Sequence, residues 1–116
     1  MRLVAIPEDV RALAETALGE FCTQHSSASG GELRYGYKFE SSAALLLASR
    51  PGFMKPDEWI AQPMAKFRYS QARNEWSLYW LDSNQRWQRV TNVKAEKDIR
   101  TLLAVVVSDP LGVFWS

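Results

Sequence analysis

The sequence predicts an α+β fold: an N-terminal helix, a five-stranded antiparallel meander and a C-terminal helix, with both helices on one face of the sheet. Three observations lead there. Apolar residues recur at helical spacing in the first 24 residues, the period changes to two from Glu32, and aromatic residues register two successive hairpins before a helical pattern returns near Glu96.

Pro7 suits a first helical position, and Glu8 and Asp9 suit the positive end of the helix dipole. Val10, Leu13, Ala14, Ala17, Leu18 and Phe21 then form one stripe on an amphipathic helix ending near Gln24. HSSASGG, residues 25–31, reads as a flexible connector rich in Ser and Gly. Residues 32–116 hold the sheet and the last helix, so 1–116 form a single domain.

In the first strand Leu33, Tyr35, Tyr37 and Phe39 alternate with Arg34, Gly36, Lys38 and Glu40, the pattern of a half-buried strand. After a turn at Ser41 and Ser42, AALLLAS is apolar at every position from Ala43 to Ala48 and needs cover on both faces. RPGFMKPDEWIAQP, residues 50–63, holds three prolines and a glycine and reads as an irregular loop. If Ala72 and Arg73 centre the next turn, Tyr69 pairs with Trp76, Phe67 with Leu78 and Ala65 with Trp80. If Ser83 and Asn84 centre the one after, Trp80 pairs with Trp87. Ile99, Leu102, Leu103 and Val106 keep helical spacing within a helix from about Glu96 to Ser108, stopped by Pro110 and Gly112.

Arg50-Pro51, PDEW at 56–59, QPMAKFRY at 62–69, WSLYW at 76–80, Arg86-Trp87 and a terminal FWS together resemble a family of small bacterial proteins, domain of unknown function 3024. The resemblance spans roughly residues 31–116. It implies a bacterial origin and a single α+β domain, and it supplies no activity. Family members often carry His after the Lys-Trp pair, where Gln88 stands in this chain, so a role built on that histidine does not carry over.

The composition excludes several classes. A net charge of +1 gives no global attraction for polyanions or anionic lipid, so such affinity would need a local patch. The single cysteine, Cys22, cannot close an intramolecular disulfide, which suits a reducing cytoplasm, and the short apolar start before Pro7 lacks a signal h-region. No run approaches the roughly 18 apolar residues of a spanning helix, so no membrane partner is expected. One His and one Cys make no zinc set, no Gly-rich loop cradles a phosphate, and no nucleophile has a positioned base. No metal, no cofactor and no catalytic residue is therefore expected, and the chain reads as a non-catalytic binding or interaction module.

Two surfaces remain for a partner. With Trp76, Trp80 and Trp87 assigned inward as core rather than as a base-stacking strip, the opposite sheet face carries Arg34, Lys38, Lys66, Arg68, Tyr79 and Arg86. That stripe is either a solvated face that discourages association or a site for an anionic partner, an acidic protein surface or nucleic acid. The second surface is the 51–61 loop with Phe53, Met54 and Trp59. Pinned to the core, the loop would cover AALLLA; unpinned, it would form an apolar patch and predict a homodimer or a partner interface.

Overall fold

The computed structural model describes residues 6–28, 33–52, 54–55, 57–109 and 112–114, without the side chains of 27 and 28. The element order is α1 (Glu8–Ala28), β1 (Arg34–Glu40), β2 (Ala43–Pro51), β3 (Trp59–Ser70), β4 (Glu75–Leu81), β5 (Trp87–Arg89) and α2 (Ile99–Ser108). The strands form one antiparallel sheet in chain order, and the α+β architecture agrees with the sequence reading.

One sheet face meets both helices. Ala44, Leu46, Ala65, Phe67, Tyr69, Trp76, Leu78 and Val90 are buried there against Ala14, Leu18 and Phe21 of α1 and Leu102, Leu103 and Val106 of α2. Phe67, Leu78, Leu18 and Leu102 are fully buried, and removing a side chain of this size from water contributes about 1.5–3 kcal/mol each. Leu13, expected on the buried stripe, is 71% exposed at the mouth of a groove beside α1.

The first helix runs past the connector expected from His25. His25 stacks on Phe21 at 4.2 Å and meets Tyr35 edge-on at 6.3 Å, while Ser26 Oγ accepts the Tyr35 N–H at 2.9 Å. These contacts extend the helix to Ala28; the remaining connector residues lie outside those described. At the other end Arg11 sits 4.5 Å over the Phe39 ring, so α1 lies antiparallel to β1 along its length.

The irregular loop expected over 50–63 is mostly strand. β2 pairs with β3 through Pro51 opposite Trp59, and only residues 52–58 leave the sheet. Leu46 pairs with Ala65 and Leu47 with Pro63, leaving Met64 as the extra residue of a bulge. β4 does not reach this end of β3, its pairing with β3 ending at Ala65. Pro63 thus stands beside a bulge on an edge segment, the two settings in which a strand tolerates proline. The 52–58 turn is closed by the Gly52 N–H on the Glu58 carbonyl, and a Cβ on Gly52 would come within 3.0 Å of the Lys55 carbonyl oxygen. Met54 is 83% exposed and Ile60 50%, so neither is pinned to the core; Phe53 lies outside the described residues.

The β3–β4 register is the expected one, with Tyr69 opposite Trp76, Phe67 opposite Leu78 and Ala65 opposite Trp80. The β4–β5 register is not. Trp87 pairs with Leu81 and Trp80 with Gln88, because the connection holds an odd number of residues, 83–85, between the bonded pair Asp82 and Arg86. Gln85 takes φ 63° in the left-handed region, the conformation that completes a three-residue hairpin loop. Asp82 fixes the loop by accepting the Asn84 and Arg86 N–H groups on Oδ1, each at 2.9 Å, and the Gln88 Nε2 on Oδ2 at 2.8 Å. Trp76 is buried and Trp80 half-buried on the helix side, whereas Trp87 stands on the opposite face.

The last helix begins at Ile99, later than expected. Glu96 instead exchanges two backbone hydrogen bonds with Trp76, and Asp98 caps α2 by accepting the Arg100 N–H. Ile99, Leu102, Leu103 and Val106 are buried as the spacing predicts. Its stop is Asp109, left-handed at φ 45°, with its N–H on the Val105 carbonyl and its carboxylate accepting the Val113 and Phe114 N–H groups. Pro110, the expected stop, lies outside the described residues, as do Trp115 and Ser116 of the terminal FWS.

Candidate functional site

Alternation along antiparallel strands sends every second side chain to the face that neither helix covers. Register then sorts those side chains into rows. Lys38, Leu45, Lys66, Tyr79 and Arg89 are successive cross-strand partners, a complete row over all five strands. Glu40, Ala43, Arg68 and Ser77 form the row beside it, and Leu81 with Trp87 belongs to the row on the other side. Leu45 and Ala43 are buried although no helix lies over them. The aliphatic stems of the flanking Lys38, Lys66 and Arg68 supply that cover, with their charged heads kept in water.

Three cation and aromatic contacts mark this face. The Arg34 guanidinium lies 3.7 Å above the centre of the Trp59 ring. Lys66 Nζ stands 5.8 Å from Trp87, and the Arg89 guanidinium 6.0 Å from Tyr79. Lys38 pairs with Glu40 at 3.3 Å, both side chains 54% exposed, a pair worth about 0–1 kcal/mol. Arg68 is exposed and makes no ion pair or hydrogen bond with any described residue. Arg34, Lys38, Lys66, Arg68 and Arg89 thus share the face with two carboxylates, Glu40 and Glu75. The face therefore carries a net charge of +3 on a chain whose net charge is +1, and the rest of the chain is close to balanced, with nine cations and eleven carboxylates.

Of the residues expected on this face, Arg34, Lys38, Lys66, Arg68 and Tyr79 are brought together. Arg86 is not: it is in the β4–β5 turn, its N–H on Asp82, and Trp87 and Arg89 take the strand positions. Trp59, Trp87 and Arg89 escape sequence reasoning for two reasons. The proline-rich stretch around Trp59 does not look like a strand, and Asn84, the residue type that favours the left-handed region, precedes the position that adopts it.

The other concavities offer less chemistry. A groove of about 560 Å³ between α1 and α2 is lined by Asp9, Leu13, Glu20, Tyr69, Lys97 and Arg100. Burial, and then the Asp9 charge, holds the Tyr69 phenol above its ordinary pKa, and its hydroxyl donates to Asn74 Oδ1 at 3.1 Å. A cleft of about 240 Å³ at the Tyr35 end includes Arg50, Gln62 and Phe114; burial raises the Tyr35 phenol, opposed by the Arg50 charge. Burial also pushes the Cys22 thiol up to about 11, leaving it protonated and a poor nucleophile near neutrality. Among the described residues no three His, Cys, Asp or Glu side chains gather where they could hold a metal ion, and no helix is long and apolar enough to cross a membrane.

No curated protein and no solved structure matches the chain. The family described as Domain of unknown function (DUF3024) matches residues 6–116, nearly the full length. The strand and hairpin motifs from Arg50 to Trp87 fall within that span, and the chain belongs to this family.

Proposed function

We propose that this chain is a non-catalytic binding module of the bacterial cytoplasm that receives an anionic partner on its open sheet face. The observation that carries the reading is the segregation of charge: five cations occupy one face of a molecule whose net charge is only +1. Such a local field attracts and orients an anion even when the whole protein is nearly neutral. Lys38 is already partnered by Glu40, whereas Arg68 makes no ion pair among the described residues, Lys66 lies near the Trp87 ring, and Arg89 lies near the Tyr79 ring and donates to the Val93 carbonyl, neither of them paired with a carboxylate. Their positive charge is therefore not cancelled locally.

Heparin chromatography tests the reading with a generic polyanion. The protein should be retained at low salt, and Lys66→Glu with Arg68→Glu should elute far earlier. Lys97→Glu, which changes the same type of charge beside the α1–α2 groove, should elute close to the unaltered protein. Equal losses in the two variants would remove the sheet face from consideration.

A further inference from the structure

We infer that the anionic partner is single-stranded nucleic acid, with bases stacking on the aromatic groups of the outer face and phosphates meeting its cations. This rests on the reading of the sheet face as an anion site and specifies its ligand. The face presents two kinds of group in alternation. Trp59, Tyr79 and Trp87 are half-buried, so each ring is anchored yet reachable, and each is accompanied by a cation: Arg34, Arg89 and Lys66 respectively. An acidic polypeptide would use the cations and leave the rings idle, and a duplex keeps its base faces stacked inside. A single strand offers a negative charge and a π-face in every repeat, and so uses both.

The Arg34 and Trp59 pair is the most developed element. The Arg34 guanidinium carbon lies 3.7 Å from the centre of the Trp59 ring, and bases stack on Arg guanidinium planes as well as on aromatic rings, so this pair offers both at one place. Five strands at about 4.8 Å spacing make the face about 19 Å wide, enough for roughly three stacked bases. Leu47, half-buried on the same face next to the basic row, adds apolar surface that suits base edges better than water. Trp59 lies toward the β2–β3 turn and Trp87 on β5, so the strand would cross the sheet obliquely, passing Lys66.

Fluorescence anisotropy of labelled ten-residue oligo-U and oligo-dT, a duplex of mixed sequence and polyglutamate, measured from low to physiological salt, tests the inference. The expected result is single-strand binding at least tenfold tighter than either competitor. Its logarithmic salt slope should lie near −2 to −3.5, corresponding to about three to five phosphates. Trp87→Ala should weaken single-strand binding about five- to fiftyfold and lower heparin retention far less than Lys66→Glu with Arg68→Glu does, whereas Trp87→Phe should retain most of the affinity. Arg68→Ala should make the salt slope shallower by about 0.7 without needing any aromatic change. Duplex or polyglutamate binding as tightly as the single strand, or a Trp87→Ala variant that binds oligonucleotide unchanged, would overturn the single-strand assignment and leave the anion site standing. No binding to any polyanion would overturn both.

Discussion

Leu81 faces Trp87 across the β4–β5 ladder, and this pairing sets the Trp87 indole within 5.8 Å of Lys66 Nζ on the side of the sheet away from both helices. The pairing depends on a backbone conformation that L-residues other than Asn and Asp rarely adopt. Gln85, at φ 63°, makes the connection one residue longer than a two-residue turn and reverses the direction of every β5 side chain.

Gln85→Gly removes the steric penalty of the left-handed conformation and should stabilise the protein by up to about 1 kcal/mol in urea unfolding. Deleting Gln85 should leave Trp87 on the outer face, because Ser83 and Asn84 can then close a two-residue turn between the same pair, Asp82 and Arg86, so any shift in the urea midpoint reports the turn alone.

The two faces should answer truncation differently. Phe67→Ala, at a fully buried position under the helices, should cost about 3–5 kcal/mol. Trp87→Ala, on the uncovered face, should cost about 1 kcal/mol or less, read from the same denaturant midpoints.

Cys22 sets an alkaline limit. Its thiol, near 11 in the folded chain, ionises in the unfolded chain near its ordinary value of 9.0. The folded state holds the proton more tightly, so this contribution is fully present below pH 9 and is lost as pH rises through 9 to 11. Cys22→Ala should flatten that part of the stability profile, and the native thiol should react with a disulfide reagent at pH 8 far more slowly than the thiol in urea.

Asp109→Gly separates backbone from side chain at the end of α2. Glycine accommodates φ 45° without strain but loses the carboxylate that accepts the Val113 and Phe114 N–H groups. A net loss of about 1 kcal/mol and faster amide exchange at Phe114 are expected, with Asp109→Asn in between.

The readable parts of the fold were those whose periodicity survives local detail. The β3–β4 pairing followed from aromatic alternation because the four-residue connection 71–74 keeps parity, and the α2 stripe followed from spacing alone. Proline obscured β3, since its tolerance of Pro63 depends on a bulge at Met64 and an absent neighbour, neither visible in composition. Five of the expected outer-face residues came out of simple alternation. Trp87 and Arg89 did not, because one left-handed residue decides the direction of the last strand, and Gln is a poor signal for it.

The hydroxyl of Ser26, spent on the Tyr35 amide, bears on how copies of this chain behave when crowded. An outermost strand with free amides invites a second chain to add on, the first step toward fibrous assembly. β1 has α1 along its length and its first outward amide already bonded, and β5 at the far side is only three residues long. Both rims are thus poor templates. The open sheet face is bordered by one strand whose leading amide is already bonded and by another too short to template a neighbour.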